Sequence, residues 1–135
     1  MPDPTNVRHF AEAYAAAWCS EDPTQVAAHF SPAGSLTING GSPSIGRAAI
    51  TEAAQSFMTA IPDIQVLYDH LVLKDERVEF HWTFTGTNTG PGGTGNRVRV
   101  SGFEDWKLDA DELILESLGW FDAAEYERQL AHGVD

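Results

Sequence analysis

Cysteine is almost missing from this chain. Cys19 stands alone among 135 residues, so no disulfide can form within one molecule, which suits a reducing compartment such as the cytoplasm. Cys19 falls late in an Ala-rich helical segment, where a buried structural thiol is expected rather than a nucleophile. Basic residues are scarce as well, 8 against 20 acidic ones, for a net charge of -12. Such a field repels phosphate backbones and anionic lipid surfaces, so nucleic acid and membranes are excluded as expected partners. No stretch approaches the roughly 20 apolar residues of a membrane-spanning helix. The start, Met1-Pro2-Asp3-Pro4, lacks the basic and apolar segments of a secretion signal, and the expected location is cytoplasmic. What is present is an apolar content of 42% with four Trp, seven Phe and three Tyr, enough for one hydrophobic core and one domain over 1–135.

Asp3-Pro4-Thr5 predicts a helix start, and Val7, Phe10, Ala11, Tyr14 and Trp18 follow at helical spacing as one buried stripe. Asp22 opens a short second helix with Val26, Ala27 and Phe30 inward. Ser31 to Gly34 reads as a turn, Ser35 to Ile38 as a short strand with Leu36 and Ile38 on one side, and Asn39 to Ser44 as a loop. A third helix runs from about Gly46 to Pro62, with Ile50, Ala54, Phe57, Met58 and Ile61 on one face. Strands are then expected over 64–74, 77–87, 97–108 and 113–121, followed by a short helix capped by Asp122 and a polar tail. The period of two is clear where Val78, Phe80, Trp82 and Phe84 alternate with Glu79, His81, Thr83 and Thr85. Early helices and late consecutive strands predict an α+β fold with a mostly antiparallel sheet, not a parallel βαβ one, and an apolar pocket inside it.

Several tempting motifs fail on their own chemistry. The Gly-rich segment Thr89 to Asn96 has no Lys-Ser/Thr pair and joins two strands, so it is a hairpin loop, flexible and placed to act as a lid, not a phosphate cradle. The five His residues show no metal-ligand spacing, and His81 shares its strand face with polar residues, opposite the aromatic row; no metal site is expected.

The informative anomaly is Glu104. It falls in register with Val98, Val100, Gly102, Trp106 and Leu108, and a carboxyl among apolar neighbours must find partners, stay exposed or shift its pKa upward. The alternatives are a frayed strand with an Arg partner and a hydrogen-bonded acid able to donate to a developing oxyanion. Tyr14, with an apolar ring and a polar tip, lies on the inner stripe of the first helix. On the last strand Leu115, Ser117, Gly119 and Phe121 share one face, and Glu116, Leu118 and Trp120 share the other. Large apolar groups on both faces predict burial of the outer one in a homodimer.

From about Val7 to Leu130 the chain resembles the SnoaL-like polyketide cyclases and ketosteroid isomerase-like proteins of the nuclear transport factor 2-like superfamily. The resemblance is carried by Phe10-x3-Tyr14-x3-Trp18, Gly46-Arg47-x2-Ile50, Ile61-Pro62-Asp63, Trp82-Thr83-Phe84-Thr85-Gly86-Thr87-Asn88-Thr89-Gly90 and Gly102-Phe103-Glu104-Asp105-Trp106. It implies a curved, mostly antiparallel sheet wrapped around three helices in a cone with the pocket between them, usually in a homodimer, with no cofactor. It places Tyr14 and Glu104 where ketosteroid isomerases keep a Tyr and an Asp as oxyanion donors. Their base would fall at Ile38 or Asn39, and Asn39 resembles the water-holding Asn of the related epoxide hydrolases. The acid that cyclases carry on the last strand is replaced by Gly119.

The expected site is therefore Tyr14, Glu104 and Asn39 as catalytic groups, with Trp18, Phe57, Met58, Phe80, Trp82, Phe84, Trp106, Ser117 and Phe121 binding an apolar ligand. Three readings stay open: a cyclase or isomerase of a hydrophobic carbonyl compound, a binder of an apolar small molecule, and a dimerisation module.

Overall fold

The computed structural model describes residues 3–134. Met1 and Pro2 of the N-terminal segment, and Asp135 of the polar tail, lie outside the described residues. Asp3 caps α1 (Pro4–Trp18) through the amides of Thr5 and Asn6, and Asp22 caps α2 (Pro23–Ala27) through that of Thr24. β1 (Phe30–Ile38), β2 (Ser44–Ile45), α3 (Arg47–Ala60), β3 (Gln65–Leu73), β4 (Val78–Thr87), β5 (Arg97–Leu108), β6 (Ile114–Phe121) and α4 (Ala123–His132) follow. The six strands form one curved sheet in the order β2-β1-β6-β5-β4-β3, antiparallel throughout except for the β1–β6 pair, which is parallel. The architecture is α+β as expected, and the short final helix capped by Asp122 is present as α4 beside the three earlier helices.

Three local expectations are corrected. Ser31 to Gly34 is not a turn but the bulged middle of β1: Phe30 pairs with Ile114, while Ser35 already pairs with Glu116, so the intervening residues loop outward. Gly34 makes this possible, because a Cβ there would lie 2.6 Å from the Ile114 carbonyl oxygen. The Arg47 guanidinium holds the same kink by donating twice to the Phe30 carbonyl, at 3.0 and 2.8 Å. The loop after β1 contains the two-residue strand β2, too short to leave a periodicity. On β6, Leu115 does not share the inner face with Ser117. A register shift puts Ile114 inward, fully buried, and leaves Leu115 exposed.

The Gly-rich segment is tied down instead of free. The Asn88 amide donates to the Ala60 carbonyl at 3.0 Å, its Oδ1 accepts from the Thr94 amide at 2.9 Å, and the Gly90 amide reaches Ala60 again at 3.2 Å. Thr94 and Asn96 both donate to the Leu130 carbonyl of α4. These bonds join the loop to the ends of two helices, so a lid that opens freely is not what the sequence builds here.

The core runs along the inner face of the sheet, from Val7, Ala11 and Tyr14 of α1 to Ile50 and Ala54 of α3 and Phe80, Val98 and Trp106 of the strands. The outer face is different. Across β3, β4, β5 and β6 runs a row of rings: His70 stacks on His81 at 4.2 Å, His81 on Phe103 at 5.2 Å, and Phe103 pairs with the exposed Trp120. Among the described residues no helix is long and apolar enough to cross a membrane.

Candidate functional site

Alternation along β5 sends Val98, Val100, Glu104 and Trp106 to the buried side, so the carboxyl of Glu104 enters the core by strand geometry alone. Only 7% of the residue is exposed. Its partners come from three elements. The Tyr14 hydroxyl of α1 donates at 3.0 Å to Oε1 and 3.2 Å to Oε2, the Trp106 indole of β5 donates to Oε1 at 3.0 Å, and the Ser117 hydroxyl of β6 to Oε1 at 2.7 Å. All are uncharged, so the reading of Glu104 as a frayed residue paired with Arg is overturned. Burial pushes the Glu104 pKa up, partly offset by the bonds from Trp106, Ser117 and Tyr14. Burial, and then the proximity of Glu104, raises the Tyr14 phenol well above its ordinary value. Tyr14 is thus a permanent donor and Glu104 an acid held towards its neutral form.

The distribution of bonds over the two oxygens matters. Oε1 receives three donors, whereas Oε2 receives only the longer branch of the Tyr14 bond. A neutral carboxyl in this setting keeps its carbonyl on Oε1 and its proton on Oε2.

Glu104 is also part of a cavity wall. A cavity open at its mouth is lined by Trp18, Leu36, Ile38, Phe57, Ile64, Val66, Trp82, Phe84, Glu104, Gly119 and Phe121. A mostly apolar lining with a single polar group has the character of a small-molecule site. Glu104 is the one titratable group in this wall. α4 packs behind it, with Tyr126 set against Phe57, Phe84 and Phe121 at 6.5, 5.6 and 5.8 Å.

The expected site residues separate into two groups. Trp18, Phe57, Trp82, Phe84 and Phe121 line the cavity with Glu104. Met58, Phe80, Trp106, Ser117 and Tyr14 do not; they form the packed layer beside and behind it. Phe80 and Trp106 stack at 5.0 Å and the Tyr14 ring stands edge-on to both, at 5.5 and 5.3 Å. Met58 is buried on the inner face of α3. Asn39 is elsewhere again. It turns the chain at φ 52° and its Oδ1 accepts from the Phe121 amide at 2.9 Å, so its side chain braces the end of β1 against β6 and is not in the wall. The remaining wall residues are Leu36, Ile38, Ile64, Val66 and Gly119. Alternation puts Leu36 and Ile38 on one side of their strand; that this side faces the cavity follows from the parallel pairing of β1 with β6, which leaves no local trace.

One buried polar atom of a wall residue has no partner. The Trp82 indole Nε1 is the one buried side-chain nitrogen or oxygen among the described residues without a hydrogen bond. A stranded donor of this kind costs about 1–3 kcal/mol. No group of three or more His, Cys, Asp or Glu is arranged to hold a metal ion among the described residues.

The sequence profile of the SnoaL-like polyketide cyclases matches residues 8–130. No curated protein sequence matches the chain. Among solved structures, one described as a SnoaL-like polyketide cyclase from Jannaschia sp. CCS1 superposes with a TM-score of 0.82 at 17% identity, covering 98% of this chain and 97% of the other. The TsrD protein of Streptomyces laurentii gives 0.82 at 22% identity, over 96% and 98%. A protein of Catenulispora acidiphila DSM 44928 with a ketosteroid isomerase-like fold, solved in complex with trimethylamine, gives 0.79 at 18% identity, over 96% and 95%. At these identities the superpositions establish a shared fold.

Proposed function

Since the chain belongs to the SnoaL-like polyketide cyclase family, we propose that it is a cyclase or isomerase of a hydrophobic, carbonyl-bearing small molecule, with Glu104 as its acid. The observation that carries this is the carboxyl itself: buried, saturated with donors on Oε1, and set in the wall of an otherwise apolar cavity. Substrate oxygen seated against Oε2 takes the Glu104 proton as negative charge develops on it, in mostly apolar surroundings that strengthen the bond. The C–H or O–H proton released as the new bond forms, or as the double bond moves, returns to the carboxylate, so each turnover is proton-neutral. Tyr14, Trp106 and Ser117 act as positioning residues that fix Oε1 and leave Oε2 to the substrate. Tyr14 thus serves through Glu104, not beside it on a shared substrate atom.

The test is turnover of a panel of bicyclic β,γ-unsaturated ketones and acyclic 1,5-diketones. Glu104→Gln is expected to lower kcat by about 10²- to 10⁴-fold, the usual worth of a positioned acid, with a folded spectrum retained. Wild-type turnover left unchanged in Glu104→Gln would sink the proposal. One observation favours a second reading, a binder that performs no chemistry: the wall has no other acid or base, Ile38 and Gly119 standing where relatives keep theirs. Tight binding of the panel with no product formed would select it.

The ring row on the outer face supports the homodimer expected from Leu118 and Trp120. A sedimentation experiment at micromolar concentration should show twice the 14.7 kDa chain mass; a single species of chain mass would count against the dimer.

A further inference from the structure

Two glycines border Glu104 on the inner face of the sheet, and they are there for different reasons. Gly102, one same-face step back along β5, is required by packing. A Cβ there would lie 2.3 Å from the Trp120 carbonyl oxygen and 2.9 Å from the Trp82 ring. Gly119 of β6 is the direct cross-strand partner of Glu104, and Ile38 of β1 is its partner on the other side. Nothing in the packing calls for a glycine at 119. Its φ is not positive, and a Cβ would meet the Thr37 carbonyl oxygen at 3.6 Å, Glu104 Cγ at 3.7 Å and Ile38 Cγ1 at 4.0 Å, all ordinary contacts. A strand glycine loses conformational entropy and packs poorly, and one that neither backbone nor neighbours demand marks a place where something else approaches.

Gly119, Glu104 and Ile38 all line the cavity, so the place where that Cβ would stand is a notch in the wall. With flanking carbons at 3.7 and 4.0 Å, the notch is one carbon atom wide at its floor. The opposite flank of Glu104 is closed: Phe80, its partner on β4, stacks on Trp106 at 5.0 Å. Trp106 and Ser117 are committed to Oε1. We infer that Gly119 is a specificity-determining residue: its bare backbone seats one carbon of the ligand against Glu104, next to the carbonyl whose oxygen meets the acid. The cavity therefore takes ketones whose flanking carbon is a methyl or an unbranched methylene, and turns away branched ones. That carbon is also the one whose C–H proton the carboxylate can reach. The inference rests on the reading of this cavity as a carbonyl-compound site, but its test requires binding alone and no turnover.

Benzaldehyde, acetophenone and pivalophenone are matched probes, one aryl carbonyl with hydrogen, methyl or tert-butyl on its free flank. Titrations followed by proton–nitrogen correlation spectra should rank acetophenone about fourfold above benzaldehyde in the wild type, the worth of one buried methyl. Pivalophenone should fall roughly tenfold below acetophenone, the scale of overpacking a filled site. Gly119→Ala fills the seat with the protein's own methyl. It should weaken acetophenone about tenfold and leave benzaldehyde within about twofold, with an unchanged urea midpoint showing that the fold is intact. In the wild type, the acetophenone methyl protons should give cross-peaks to the α-protons of Gly119. Equal effects of Gly119→Ala on acetophenone and benzaldehyde, wild-type binding of pivalophenone as tight as that of acetophenone, no cross-peak to Gly119, or no acetophenone binding at millimolar concentration would each overturn the inference. Turnover in Glu104→Gln bears on the acid alone, so the two readings fail separately.

Discussion

Gly102→Val should lower stability by about 3 kcal/mol or more, with a melting point down by roughly 10 °C, although glycine in a strand is ordinarily a weak point. The reason is contact with main chain. A Cβ at 102 would lie 2.3 Å from the Trp120 carbonyl oxygen of β6, 2.9 Å from the Trp82 ring and 3.0 Å from the Phe121 Cβ. A side chain can rotate away from such a clash, but a carbonyl held in a strand pair can retreat only if β5 and β6 part. The neighbouring strand supplies the control. At Gly119 a Cβ would meet nothing nearer than 3.6 Å, and its second neighbour is Glu104 Cγ at 3.7 Å. Gly119→Ala is therefore expected within about 0.5 kcal/mol of the wild type. Urea unfolding followed by tryptophan fluorescence measures both, and a Gly102→Val midpoint equal to that of the wild type would refute the steric account.

The second large effect is expected at Glu104, and it depends on what replaces the carboxyl. Leucine fills the space but strands the hydroxyls of Tyr14 and Ser117 and the indole N–H of Trp106, which all converge on Oε1. Each orphaned donor costs about 1–3 kcal/mol, only partly offset by added apolar burial, so Glu104→Leu should lose about 3 kcal/mol or more. Glutamine retains a carbonyl oxygen for the three donors and should stay within about 1 kcal/mol of the wild type in acid. The difference between wild type and Glu104→Gln should then vary with pH. Burial raises the Glu104 pKa in the folded protein above its unfolded value. The stability contributed by the neutral carboxyl is thus complete below the ordinary glutamate range, and is lost as pH rises through the folded value. The wild type should accordingly fall relative to Glu104→Gln across that window and level off above it. Thermal melts of the pair across acid to mildly alkaline buffers measure this; a wild-type advantage that grew with pH would reverse the sign and refute it.

Much of this site was legible because it depends on short periods. A spacing of two placed Glu104 among the apolar residues of β5, and helical spacing placed Tyr14 on the inner stripe of α1; the two were thereby aimed into the same interior. Periodicity, however, reports direction without depth. Phe80, Trp82, Phe84 and Trp106 all point inward, yet Phe80 and Trp106 meet α1 and are packed solid, while Trp82 and Phe84 open on the cavity. Whether an inward residue becomes core or wall depends on what the opposite layer places above it, a long-range property. The same holds for Leu36 and Ile38, for the register shifts before His70 and at Leu115, and for Tyr126 of α4. The sequence offers Asn39 as a catalytic, water-holding group, but its side chain is outside the cavity wall. Its left-handed backbone and its bond to the Phe121 amide show why an Asn suits that position on conformational grounds.

The parallel contact between β1 and β6 has a consequence in time. It joins residues 36–38 to 117–119, and the bond between Tyr14 and Glu104 spans 90 positions. Loop-closure entropy must be overcome before either contact returns any stabilisation, so both belong to the high-contact-order part of the fold, which forms slowly. During synthesis β6 emerges after the other five strands of the sheet. Until it docks, Ser117 is absent and the Glu104 carboxyl stands beside open solvent as an ordinary ionised glutamate. The acid is thus made by the final closure of the sheet: a nascent chain can hold Tyr14 and Glu104 without yet having the group that the finished protein presents.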